Sequence, residues 1–192
     1  MIHESIITTL NQDGSVHIAP MGIKEQDGLI IIAPFKPSTT LENLVRHGLA
    51  VVNFTDDVRI FAGCITGRYN WPTIAASKIE AMRLRDTLSH VELKVARYED
   101  DNLRPLFYCD VVNQENHKPF SGFNRAQAAV LELAILVSRL DMLPAGKLED
   151  EIKYLEIAMQ KTAGLNEQMA WDWLMERVKD HRQKHAAAGN QA

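Results

Sequence analysis

The chain lacks most of the features that announce a specific chemistry, and each absence narrows the possibilities. Cys64 and Cys109 are its only cysteines and neither belongs to a CxxC pair, so reduced thiols behaving as small buried apolar groups are expected. Neither is a nucleophile candidate. A net charge of -4 with no dense basic run gives no electrostatic footprint for nucleic acid. No apolar run approaches the roughly 20 residues that a membrane span requires. The opening MIHESIITTL has neither the basic start nor the apolar core of a signal peptide, which leads to an expectation of a cytoplasmic protein.

What is present is the composition of a globular protein. The 192 residues are 46% hydrophobic and 24% charged, enough for one large domain or one domain with an appendage. Residues 2–10 (IHESIITTL) and SVHIAPMGI flank Asp13-Gly14, a hairpin signal. In the second of these strands Pro20 demands an edge, a bulge or an end of pairing, and Gly22 lets main chain approach a neighbour closely. Gln26-Asp27-Gly28 then turns into a buried strand over residues 29–35.

The stretch APFKPSTTLEN joins that strand to a helix running to Gly48. Thr39 followed by Glu42 has capping-box spacing, and Lys36, Ser38, Thr39 and Thr40 cluster at the helix start. Free N–H groups and the helix dipole make such a start suitable for an anion, although a simple surface cap has the same residues. LAVVNF (49–54) follows as a strand interrupted by Asn53, and VRIFAGCITG reads as a further strand. TIAASKIEAMRLRDTL is expected to be helical in part, while Arg68, Tyr69 and Trp71 either line a pocket or cover a barrel edge. HVELKVARYE alternates Val91, Leu93 and Val95 inward against Glu92 and Lys94 outward, and RPLFYCDVVNQE completes a second hairpin with it.

This gives an α+β chain with a barrel of six to seven mainly antiparallel strands and one short helix after the third. Past Phe123 the pattern turns helical. NRAQAAVLELAILVSRLDML is apolar nearly all round except for Arg125, Glu132 and Arg139, which lie seven apart on one outward stripe. Leu148, Ile152, Leu155 and Met159 mark a second helix, and Ala170, Trp173, Leu174 and Val178 a third. The expected division is a barrel over 1–120, a three-helix subdomain over 121–185 packing on the barrel or at a dimer interface, and a disordered tail over 186–192. His181 and His185, one turn apart, lack a third ligand, and no metal site is expected.

The order of A-P-x-G strand, hairpin, K-x-S-T-T-x-x-N helix start and V-V-N-F strand resembles the FMN-binding split barrel of flavin reductases and pyridoxamine-phosphate-oxidase-like proteins. F-N-R-A at 123–126 with its trailing helices looks like a branch of unassigned function within that superfamily. The resemblance implies FMN as cofactor, its phosphate on Lys36, Ser38, Thr39, Thr40 and Asn43. It places the flavin ring along Ala19, Pro20, Met21 and Gly22, with Asn53 reaching the flavin or its ribityl chain. It also implies a homodimer with flavin near the subunit interface, and an oxidoreductase acting on a small molecule. A flavin carrier, sensor or assembly protein, in the neighbourhood of pterin-linked one-carbon metabolism, is the alternative. Arg68, Trp71 and Arg125 are candidates for binding substrate, and His17 for moving a proton. No GxGxxG nicotinamide fingerprint is present, and no catalytic acid or nucleophile stands out.

Overall fold

The computed structural model describes residues 1–144 and 146–189, and the chain divides into two compact units. The first comprises 1–56 with 70–120, and the second 57–69 with 121–192.

Six strands close the barrel of the first unit: β1 (Ile2–Leu10), β2 (Val16–Gln26), β3 (Leu29–Ile32), β4 (Leu49–Phe54), β7 (Ser89–Glu99) and β8 (Leu106–Asn116). Their order is β1-β2-β3-β8-β7-β4, and every pairing is antiparallel, with β4 returning to β1. Alternation sets the inside. Ile7, Ile23, Ile30, Ile32, Ala50, Val52, Val91, Leu93, Phe107 and Cys109 form the barrel core, with Leu44 from the helix α1 (Thr39–His47). The helix ends where Gly48 takes φ 68°, a left-handed conformation that glycine adopts without cost, and its N–H bonds Leu44 O at 3.0 Å.

Two segments depart from the sequence expectation. VRIFAGCI is not a strand but the helix α2 (Val58–Ile65), started by Asp57, whose carboxylate accepts from Arg59 N at 3.1 Å. A short apolar run fits either element by periodicity, and here the cap decides. The segment expected to be partly helical instead forms β5 (Thr73–Ala75) and β6 (Met82–Leu84), a separate two-stranded sheet.

In the second unit α2 joins α3 (Arg125–Val137), α4 (Lys147–Thr162) and α5 (Leu165–Gly189). Ala126, Val130, Leu133, Leu155, Met159, Leu174 and Val178 meet in its core with Val58 and Ala62. Trp171 rather than Trp173 is the buried tryptophan, while Trp173 packs at the edge beneath the Arg68 guanidinium, 4.8 Å from its ring centre. Arg125, Glu132 and Arg139 are exposed, as their stripe predicts. The tail expected from residue 186 begins as a continuation of α5; residues 190–192 and the His185 side chain lie outside the described residues.

Candidate functional site

The register of β2 creates an opening. β1 pairs with β2 continuously from Lys24 back to Val16, but β3 pairs with β2 only from Gln26 to Ile23. Residues 19–22 therefore have, among the described residues, an edge with no strand partner. Pro20, which has no N–H to give, is tolerated on such an edge. Ala19 and Met21 share the face of Ile23, toward the barrel core, whereas Pro20 and Gly22 share the opposite face. The close approach at Gly22 is to β1: an added Cβ would lie 2.7 Å from Ile2 Cγ2.

The last β2–β3 pair is Ile23 with Ile32, so the chain leaves β3 at Ala33 beside the start of that open edge and then enters α1. The stretches APMG and KPST, 17 residues apart in sequence, thus lie on either side of the end of the β2–β3 pairing. The N-cap of α1 is Ser38, not Thr39: its hydroxyl accepts from Leu41 N at 3.3 Å, and the Thr39–Glu42 capping box does not form. Glu42 N bonds Ser38 O at 3.1 Å, which leaves the N–H groups of Thr39 and Thr40 without a partner among the described residues.

A turn from the β7–β8 hairpin clamps this loop. Lys36 N bonds Leu103 O at 2.9 Å, and the Lys36 ammonium is held by Asp100, which raises its pKa. Tyr98 also donates to Asp100, at 2.8 Å, and the hydrogen bonds from Lys36 and Tyr98 lower the pKa of that carboxyl. Arg104 donates to Ala33 O at 3.1 Å and lies over the Phe35 ring at 4.5 Å. Two amides at a helix start without a partner among the described residues suit an anion, with Lys36, paired to Asp100, and Arg104 in the loop before it. A cavity of about 490 Å³ beside the same helix is lined by Thr39 and Asn43, two of the expected phosphate residues, together with Asp13, Glu42 and Arg46, and hydrogen bonds from Ser15 hold the Asp13 carboxyl down.

Two expected contacts are spent on the fold. Asn43 is buried, with Nδ2 donating to Thr9 Oγ1 at 3.0 Å and to Asn11 Oδ1 at 2.9 Å, and Arg46 donating to its Oδ1 at 3.2 Å. Asn53, fully buried, donates to Ile6 O, Thr8 Oγ1 and Val51 O at 3.1–3.2 Å and accepts from Leu84 N at 2.8 Å. Asn43 links side chains of β1, the following turn and α1, whereas Asn53 anchors main chain. The substrate candidates divide as well: His17 and Trp71 belong to the barrel unit, Arg68 and Arg125 to the helical unit, where Arg68 pairs with Glu176 at 3.2 Å. Burial lowers the pKa of His17, which favours its neutral form.

Sequence reasoning missed a cluster on the outer face of the barrel. His90 and Glu92 on β7 point away from the core yet are fully buried, and β8 places Glu115 opposite His90. Glu92 accepts from Ser77 N and Lys78 N, each at 2.7 Å, from Ile79 N at 3.1 Å and from Asn113 Nδ2 at 3.1 Å. Burial alone pushes the Glu92 carboxyl up, but hydrogen bonds from Asn113, His90 and these amides outweigh it and hold the carboxyl at about 2. His90 Nε2 lies 3.1 Å from Glu92 Oε1, and its Nδ1 lies 2.8 Å from Nε2 of His117. The signal was available: H-x-E and E-x-H each put two side chains on one face of a strand.

Family models described as "Protein of unknown function (DUF447) N-terminal domain" and "Protein of unknown function (DUF447)" match residues 3–118 and 124–176. No curated protein matches. Among solved structures, an FMN-bound protein from Methanosarcina mazei superposes with TM-score 0.79 at 20% identity, over 92% of this chain and 94% of that one. A flavoredoxin from Methanosarcina acetivorans gives TM-score 0.53 at 12% identity, over 62% and 74% of the two chains. The styrene monooxygenase flavin reductase from Pseudomonas putida S12 gives 0.52 at 14%, over 61% and 82%. These likenesses establish a shared fold.

Proposed function

The chain belongs to the DUF447 family, and we propose that it binds FMN and uses it as an oxidoreductase acting on a small molecule. The observation that supports this reading is a helix start with two amides lacking a partner among the described residues, reached from β3 where its pairing with β2 ends and the edge at 19–22 begins. An anion belongs at the first and a flat polar heterocycle at the second. Lys36, Ser38, Thr39 and Thr40 hold the phosphate in this reading, with Arg104 added to the set. The backbone of Ala19, Pro20, Met21 and Gly22 offers its free edge to the ring. Bound FMN supplies one- and two-electron transfer, which no side chain offers. The chain's part is to position that group; neutral His17, on the same strand, is the candidate for moving a proton. The FMN-bound protein from Methanosarcina mazei supports the cofactor assignment. A homodimer in a cytoplasmic setting completes the proposal, and light scattering tests its first element.

The experiment is a visible spectrum of freshly purified protein, then titration of stripped protein with FMN and with riboflavin. FMN is expected to bind at least about tenfold more tightly than riboflavin, because charge-assisted contacts to a phosphate contribute about 1.5–3 kcal/mol each. Lys36→Ala and Arg104→Ala each narrow that difference. Equal affinity for the two flavins overturns the phosphate assignment, and a colourless protein that takes up neither overturns the function. Anaerobic NADH or NADPH bleaches the flavin of a nicotinamide-dependent enzyme; a carrier keeps its colour.

A further inference from the structure

The His90 cluster lies on the outer face of the barrel and uses none of the residues assigned to the phosphate or the ring. Its ring planes are within 7° and its ring centres 5.0 Å apart, so with 2.8 Å between nitrogens the imidazoles meet edge to edge. At that distance one ring donates an N–H to the other's lone pair, as neutral imidazoles do, and a metal ion would take the place of that proton. Glu115 is the third member: its carboxylate oxygen, His90 Nδ1 and His117 Nε2 all lie within 4.8 Å of one another. Donor atoms in a tetrahedral zinc site, with bonds of about 2.0–2.2 Å, are about 3.4 Å apart. His117 follows the end of β8 and is partly exposed, so a small rotation brings the set to that spacing.

The surroundings are those of a metal site. Glu92 accepts the Nε2–H of His90 and so leaves Nδ1 as the ligating lone pair, the carboxylate–histidine arrangement found behind metal-bound imidazoles. Glu92 is itself fixed by three backbone amides. Asn113 donates to both Glu92 and Glu115, at 3.1 and 2.8 Å, and ties the orienting carboxylate to the ligating one. His117 also lines a surface cavity of about 540 Å³ with Phe54, Ser89, Asn116 and Phe120, which provides access for an ion and room for a further ligand.

We propose that His90 Nδ1, His117 Nε2 and the Glu115 carboxylate bind a divalent transition-metal ion of the zinc type, with one coordination position open toward this cavity. Three protein ligands and an open position match reactive zinc sites, whereas purely structural ones are closed by four. No ion is present in the structure, where the two nitrogens lie at hydrogen-bonding distance, 2.8 Å apart.

The test is equilibrium dialysis of tag-free, full-length protein against Zn²⁺, read by elemental analysis so that flavin absorption does not interfere. Wild type is expected to hold one Zn²⁺ per chain. His117→Ala and Glu115→Gln, each checked for folding by circular dichroism, are expected to lose affinity by at least about tenfold, whereas His3→Ala, an exposed histidine outside the cluster, retains it. If His117→Ala does not fold, Glu115→Gln decides alone, since it keeps the ligand's size. Retention by both variants equal to wild type, or no uptake by wild type, overturns the site and leaves a hydrogen-bonded histidine pair.

Discussion

Replacing Glu92 with Gln changes one oxygen to a nitrogen and should cost roughly 3 kcal/mol. The wild-type carboxylate is fully buried and accepts five hydrogen bonds: Oε1 from Ser77 N, Asn113 Nδ2 and His90 Nε2, and Oε2 from Lys78 N and Ile79 N. An amide in either orientation sets its NH2 against at least two donors, with no acceptor in reach. Linkage gives an independent measure of the same quantity. The hydrogen bonds hold the folded carboxyl at about 2 against an ordinary glutamate value of 4.5, a depressed pKa, and each unit corresponds to about 1.4 kcal/mol. The carboxylate thus contributes roughly 3 kcal/mol at neutral pH. That stability is fully present above about 4.5 and is lost as pH falls toward 2. Urea denaturation of wild type and Glu92→Gln at pH 7 and at steps from pH 5 to 3 measures both, with hydrogen exchange at the Ser77, Lys78 and Ile79 amides as a local readout. The variant should begin less stable and show a flatter acid limb. A difference under about 0.5 kcal/mol at pH 7, or parallel acid limbs, would refute this assignment of the buried charge.

Three further outcomes are expected. Asn53→Ala removes four hydrogen bonds from a fully buried amide and should cost about 2–4 kcal/mol, with faster exchange of the Leu84 amide; unchanged exchange there would show that β6 is held by something else. Cys64 and Cys109 are buried, and burial pushes both thiols up to about 12, so neither should react with a thiol reagent at pH 8 until denaturant is added. Prompt labelling of one thiol per chain in native protein would contradict that. Leu174→Ala, at a position with no exposure among the helices, should destabilise the helical unit by about 2–5 kcal/mol, measured by calorimetry.

Much of the barrel was legible because its turns are written locally. Asp13-Gly14 and Asp27-Gly28 supply left-handed backbone at hairpin bends, and alternation along residues 90–95 fixed which face is the core. VRIFAGCI reads as a strand in sequence because eight mostly apolar residues carry too few periods to separate helix from strand, and the Asp57 cap that decides it shows only in the structure. At the helix start, hydroxyls and a lysine were visible as a group. Arg104 was not, because only the β7–β8 hairpin carries it to Ala33, 71 residues away in sequence. Glu92 taught the opposite lesson. Its alternation with Val91 and Leu93 correctly put it outside the barrel core, but outside the core meant beneath residues 77–79 and not in water.

That covering segment has a consequence for how this family can vary. The barrel grips its main chain: Glu92 accepts from three successive N–H groups, Thr8 Oγ1 donates to Met82 O at 2.6 Å, and Asn53 accepts from Leu84 N. A receptor that recognises peptide groups is indifferent to the side chains those groups carry, and among the described residues of this segment only Ser77 adds a side-chain hydrogen bond, to Glu115. Residues 78–80 should therefore tolerate varied side chains. Proline is what the grip detects at 77, 78 or 79, because it deletes the donor itself. A map of tolerated substitutions across 78–80 should consequently look like that of a loop that rejects proline at 78 and 79.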